Sequence, residues 1–254
     1  MPWLMQRMDE GFALSANPFN PKQVKRVELT PEAIDALVFW TKQPGGLLPH
    51  LQRLAPYRYM AQVTLNDYSA DIEPAIPPLG RRLADFSALS EAIGPRRVRW
   101  RYDPILLNAQ NPPEAHIERF EKIAQALRGK TEGVTISFLD DYPRIHRKLA
   151  ALGVRFPDAD EKRAIALALA GIAHDNGMRI TACCEAVDLS ENGVAPAACI
   201  DAALIAGLWG GAPAKKDVSQ RPGCGCAAAV DIGTYGTCTG GCVYCYARGR
   251  SSAR

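Results

Sequence analysis

Residues 97–138 read RVRWRYDPILLNAQNPPEAHIERFEKIAQALRGKTEGVTISF. Two short runs in this stretch, Arg97 to Tyr102 and Gly133 to Phe138, are rich in β-branched and aromatic residues, and turn residues bound them. Runs of that length and composition predict strands. Between them, Glu114 to Leu127 places Ile117, Phe120, Ala124 and Leu127 on one helical face. A helix with one apolar face covers a core. Strand, amphipathic helix, strand predicts two parallel strands joined by a crossover.

The same grammar extends in both directions. Upstream, Ala36 to Thr41 and Tyr59 to Leu65 are strand candidates. A helix over Pro78 to Ile93, with Leu79, Leu83, Phe86 and Ile93 on one face, stops at Gly94-Pro95. Downstream, a helix over Ala159 to Asn176 carries Ile165, Leu169 and Ile172 and ends at Gly177. Met178 to Cys184 follows as a fifth strand, and Ala227 to Ile232 (AAAVDI) would be one more. Residues 74–78 (PAIPP) and Gly210 to Pro213 read as loops, and Asn17-Pro18-Phe19-Asn20-Pro21 as a stiff turn. The expected architecture is α/β. It is a TIM-like (β/α) partial barrel over residues 1–222, with a cysteine-rich segment, 223–254, packed on the same domain.

Composition narrows the function classes. Hydrophobic residues make up 47% and charged residues 22% of the 254, ordinary for a globular chain. The net charge of +3 is too small to suggest a nucleic-acid or membrane partner by itself. The pairs Lys215 with Lys216 and Arg248 with Arg250 read as solvated surface. Met1 to Gly11 is amphipathic and carries Arg7, Asp9 and Glu10, unlike a secretory leader. No apolar run approaches the ~20 residues of a membrane span. The expectation is a cytoplasmic protein with reduced thiols and no membrane partner.

That bears on the eight cysteines, five of which lie between Cys224 and Cys245. In a reducing compartment such crowding points to metal ligands or catalytic groups. The densest motif is Thr237-Cys238-Thr-Gly-Gly-Cys242-Val-Tyr-Cys245-Tyr246, a C-x3-C-x2-C spacing with an aromatic residue before the last thiol. Three thiolates can bind three irons of a [4Fe–4S] cube and leave the fourth open to a small molecule. Gly240 and Gly241 give the loop freedom to curl. A zinc site using Cys242 and Cys245, with Cys238 or with Cys224 and Cys226, is the other metal reading, although only one good knuckle is present.

The motif resembles the cluster loop of radical SAM enzymes. The resemblance implies that S-adenosylmethionine chelates the open iron and is cleaved by one electron to a 5′-deoxyadenosyl radical. In that superfamily the loop follows the first barrel strand. Here it lies near the C-terminus, so the resemblance implies a circularly permuted barrel, with AAAVDI as the strand before the loop. NPFNPKQ (17–23), VFWTK (38–42), RYDPI (101–105), ISFLD (136–140), ACID (198–201), CGC (224–226) and TCTGGCVYCYA (237–247) together resemble a bacterial domain-of-unknown-function family. The last of these is also similar to the cluster loop of spore photoproduct lyase, which makes a nucleic-acid substrate conceivable. Members of the bacterial family begin with an earlier strand, which the resemblance implies is missing here. It further implies that Cys183, Cys199, Cys224 and Cys226 recur as a set and Cys184 does not. Four thiolates could ligate a second [4Fe–4S] cluster, could suit zinc, or could simply pack.

In parallel α/β folds functional side chains gather at the C-terminal ends of strands. Those positions are Trp40, Thr41 and Lys42; Thr64 and Asn66; Arg101, Tyr102 and Asp103; Ser137 and Asp140; and Glu185. Lys42, Arg101, Asp103, Ser137 and Glu185 are the candidates for binding S-adenosylmethionine, with Arg101 suited to a carboxylate. An Arg101–Asp103 or Lys42–Glu185 structural ion pair is the plainer alternative. His50, His116, His146 and His174 are isolated and read as surface or packing residues. No phosphate-loop, G-x-G-x-x-G or nucleophile-elbow motif occurs. The leading expectation is a radical-SAM-like enzyme served by an electron-donor protein. The rival is a non-catalytic iron–sulfur or zinc protein for electron transfer, sensing or structure.

Overall fold

The computed structural model describes residues 1–17, 20–221 and 223–248. Pro18, Phe19, Arg250 and the rest of 249–254 lie outside the described residues. The chain opens with helix α1 (Pro2–Glu10) and an antiparallel hairpin, β1 (Phe12–Asn17) and β2 (Asn20–Glu28). A six-stranded parallel sheet follows: β3 (Leu37–Thr41), β4 (Tyr59–Thr64), β5 (Val98–Ile105), β6 (Gly133–Phe138), β7 (Arg179–Ala182) and β8 (Ala195–Pro196), in sequential order. Between the strands lie α2 (Leu51–Leu54), α3 (Leu79–Ile93), α4 (Pro113–Leu127), α5 (His146–Ala151) and α6 (Ala159–Asp175), and α7 (Ala202–Trp209) follows β8. The class is mixed α/β. Among the described residues no pairing of β3 with β8 closes the sheet.

Alternation along the strands separates two chemistries. Ala61 and Val63, Val98, Trp100 and Tyr102, Val134, Ile136 and Phe138, and Ile180 and Ala182 share a buried core with Phe86 and Leu89 of α3, Phe120, Ile123 and Leu127 of α4, and Ile165 and Leu169 of α6. The Phe120 ring packs 4.5 Å from that of Trp100. The intervening positions are polar yet buried: Gln62, Arg99, Arg101 and Thr135. Buried polar groups need partners, and the chain beyond β8 crosses back to provide them. Gln62 Nε2 donates to Cys199 O at 2.6 Å. Arg99 lies 3.4 Å from Asp201, and Arg101 Nη1 donates to Cys199 Sγ at 3.0 Å.

Local signals explain the helix limits. Asp158 caps α6 by accepting from Glu161 N at 2.9 Å, and Asp201 caps α7 by accepting from Leu204 N. Pro113 starts α4, and Gly94, at φ 94°, ends α3.

The expected strand over Ala227 to Ile232 is corrected. Ala227 makes one isolated bridge to Lys216, and the run is otherwise largely exposed. Its first amides bond to segments outside the sheet, Ala227 N to Ile200 O and Ala228 N to Lys215 O, and no strand of the sheet pairs with it among the described residues. The permuted barrel therefore loses its proposed first strand. The hairpin β1–β2, the short β8, α5 and α7 were not among the expected elements. No helix among the described residues is long and apolar enough to cross a membrane.

Candidate functional site

The loop 237–247 is held against the C-terminal ends of the strands. Val243 N donates to Ile72 O at 3.0 Å, and Ala75 N donates to Gly240 O at 3.3 Å. Cys242 and Tyr244 join a second apolar cluster with Tyr68 and Ile72 beyond β4, Leu106 beyond β5 and Leu139 beyond β6. Below them lies a charged floor. Glu73, whose side chain is 1% exposed, accepts the Tyr244 hydroxyl, and the Lys42 ammonium lies 2.9 Å away, off the line of a well-directed hydrogen bond. The other Glu73 oxygen, Oε2, is buried without a hydrogen-bond partner among the described residues. Burial pushes the Tyr244 phenol well up, and Glu73 adds to the shift. Burial also raises the Cys242 thiol, with Lys42 opposing and Glu73 reinforcing.

The sulfurs of Cys238 and Cys242 flank Gly240, at 3.5 and 3.8 Å from where a Cβ would stand, and Gly240 N donates to Cys238 Sγ at 3.4 Å. Gly241, at φ 69°, supplies the left-handed turn that brings Cys242 under the loop. Cys238 is exposed, Cys242 buried and Cys245 between the two. Tyr246 continues the loop outward, its ring 4.9 Å from Tyr142 and 6.1 Å from Tyr235.

A second group of thiols gathers beyond β7 and β8. Cys183 Sγ lies 3.2 Å from Cys199 Sγ, and Cys226 Sγ accepts the amides of Cys199 and Ile200 at 3.1 and 3.5 Å. The thiols of Cys199 and Cys224 are also near enough to shift that of Cys226. The bond with Cys199 lowers the Cys183 thiol, aided by Arg101, and the bond with Cys199 together with burial raises Cys226. Cys224 and Cys226 thus side with Cys199 rather than completing the Cys238 loop.

Of the other expected site residues, Arg101 and Asp103 pair, with 3.1 Å from Nε to Oδ2. Burial opposes the charge on Arg101, but Asp103 and the thiols of Cys199 and Cys183 outweigh it and raise its pKa. Lys42 and Glu185 do not pair. Lys42 serves Glu73, while Glu185 takes Lys162 at 2.9 Å and the Phe138 amide at 2.8 Å. Ser137 Oγ makes one long bond to Phe138 O at 3.3 Å. His116 is a packing residue, fully buried between the Tyr102 hydroxyl at 2.8 Å and Leu106 O at 2.9 Å. Sequence reasoning missed Glu73 altogether. An acid beside the Pro-rich run carries no motif, and its contacts with Tyr244 and Lys42 mark it.

Among the described residues, no three thiols, imidazoles or carboxylates converge at the spacing of a single metal ion. Comparison with curated proteins and with solved structures gives no match. The model of one family, a domain of unknown function named DUF1848, matches residues 1–247, and the chain therefore belongs to that family.

Proposed function

We propose that this chain is an iron–sulfur protein and a radical-SAM-like enzyme, in which Cys238, Cys242 and Cys245 would hold a [4Fe–4S] cluster with S-adenosylmethionine beside it. The observation that carries the reading is the docking of a three-thiol loop on the C-terminal ends of parallel strands. Ligands of parallel α/β folds bind at that end. The donor set fits the group, since soft thiolates favour iron–sulfur clusters and the amide of Gly240 is aimed at a sulfur. A single zinc ion would instead call for four donors around one point. When bound, the cluster and its cofactor supply one-electron radical chemistry.

The chain's own residues bind, orient and exclude water. Tyr244, anchored on Glu73, fixes the loop between Cys242 and Cys245. Lys42 brings a positive charge to the floor beneath Cys242. Arg101 and Asp103 present paired charges along β5, the next strand. The six sequential parallel strands are read here as a TIM-like (β/α) partial barrel with the loop supplied from the C-terminal part of the chain. The reading also includes a cytoplasmic setting and an electron-donor protein.

The test is electron paramagnetic resonance on anaerobically reconstituted, reduced protein, with and without S-adenosylmethionine, alongside iron and sulfide counts. A cluster signal that shifts with the cofactor supports an open iron and the enzyme. A signal indifferent to the cofactor overturns the enzyme in favour of electron transfer or sensing, and zinc without sulfide overturns both.

A further inference from the structure

Cys183, Cys199 and the Cys224–Cys226 pair come from three separate segments, following β7, following β8, and preceding the run at Ala227. The fold sets Cys183 Sγ 3.2 Å from Cys199 Sγ and turns the amides of Cys199 and Ile200 onto Cys226 Sγ, with Cys224 two residues from it. The approach is close. A Cβ at Gly225 would meet Ala197 O at 3.4 Å and Ala198 Cβ at 3.5 Å. Gln62, 1% exposed, holds the Cys199 carbonyl from the other side.

Donors converge on these sulfurs. Two backbone amides point at Cys226 Sγ, and the guanidinium of Arg101, a residue 5% exposed, points at Cys199 Sγ. Neutral thiols are weak acceptors, whereas thiolates bound to metal accept such bonds. A buried cation also offsets the negative charge that a tetrathiolate cluster carries. Four thiolates from these segments match the ligand count of a closed [4Fe–4S] cluster.

We propose that Cys183, Cys199, Cys224 and Cys226 form a second metal centre, a [4Fe–4S] cluster closed by four protein thiolates with Arg101 as its charge partner. This centre does not depend on the Cys238 loop, so the two can be lost separately.

The test uses the full chain, reconstituted anaerobically with ferrous iron and sulfide. A Cys238→Ala, Cys242→Ala, Cys245→Ala variant should retain about four iron and about four sulfide per chain, with the broad visible absorbance of a cluster. Adding Cys224→Ala and Cys226→Ala should remove them. Cys224→Ala with Cys226→Ala in the otherwise unchanged chain should halve the iron, which keeps the test open if the triple variant does not fold. Failure of the first reading alone would leave the unchanged chain with about four iron that survive the triple substitution. The proposal is overturned if the folded triple variant binds no iron, if iron is indifferent to Cys224 and Cys226, if zinc occupies the site without sulfide, or if anaerobically prepared protein carries a Cys183–Cys199 disulfide.

Discussion

Tyr244 donates its hydroxyl to Glu73, a carboxylate 171 positions earlier in the chain, and both groups are buried. The bond ties the thiol loop to the segment that leaves β4. Glu73 also neutralises Lys42, so two elements depend on one side chain. Glu73→Gln keeps the shape but removes the charge and strands the ammonium. Breaking a buried pair from one side costs roughly 3–5 kcal/mol. Tyr244→Phe removes only a hydrogen bond, about 1–2 kcal/mol. Urea unfolding of the metal-free protein should rank Glu73→Gln below Tyr244→Phe, and both below the unchanged chain. The reverse order would mean that Lys42 finds another partner.

The two glycines of the loop should respond differently to alanine. At Gly240 the obstacle to a Cβ is the tip of the Ile76 side chain at 2.9 Å, which can swing away. Gly241 sits at φ 69° with Pro74 Cγ at 3.2 Å, so both backbone and space resist. Gly241→Ala should destabilise by about 1–2 kcal/mol and Gly240→Ala by less. After reconstitution, Gly241→Ala should also retain the smaller share of iron.

His116 predicts a pH dependence. A carbonyl can only accept, so Nε2 carries the proton toward Leu106 O and Nδ1 accepts from Tyr102. Burial lowers its pKa to about 4, below the ordinary 6.5. Between those values the unfolded chain binds more protons, so stability is full above pH ~6.5 and declines as pH falls toward about 4. The loss is on the order of 3 kcal/mol. His116→Gln should flatten that limb of the pH–stability curve. An unchanged slope would assign the acid sensitivity to other groups.

Asp158 is the side-chain cap of α6, where Asp160 and Glu161 also favour the helix N-terminus. Asp158→Ala should cost about 1 kcal/mol in thermal or urea unfolding. Asp160→Ala, whose carboxylate is nearly fully exposed and pairs with Arg163, should cost less.

The parallel core was legible because its strands alternate, and because α3, α4 and α6 carry long apolar faces with clear stops. The hairpin β1–β2 escaped notice. Its second strand, NPKQVKRVE, has little apolar patterning and is exposed at its described residues except the half-buried Val27, so the period-2 signal is weak. AAAVDI misled in the opposite direction. Its composition is strand-like, but a strand needs an edge to pair with, and pairing is decided by distant parts of the chain. At the candidate site the spacing of the thiols drew attention to them, whereas Arg101 and Asp103, expected at a strand end, lie inside β5, which runs on to Ile105. Glu73, which also pairs with Lys42, could not be read, because its contact with Tyr244 spans 171 positions and leaves no local pattern.

The last strand ends at Pro196, whereas the first thiol of the C-terminal loop is Cys238. Ribosomes deliver a chain from its amino end, and domains begin to fold as they emerge. The sheet, its helices and the Glu73 anchor are therefore all synthesised before any ligand of that loop leaves the exit tunnel. Under the proposed reading, metal loading at Cys238, Cys242 and Cys245 would then be a late event in the life of each molecule, following synthesis of the scaffold that receives it. An interrupted translation product would be a folded but unloaded body, a distinction that pulse-labelled maturation experiments can follow.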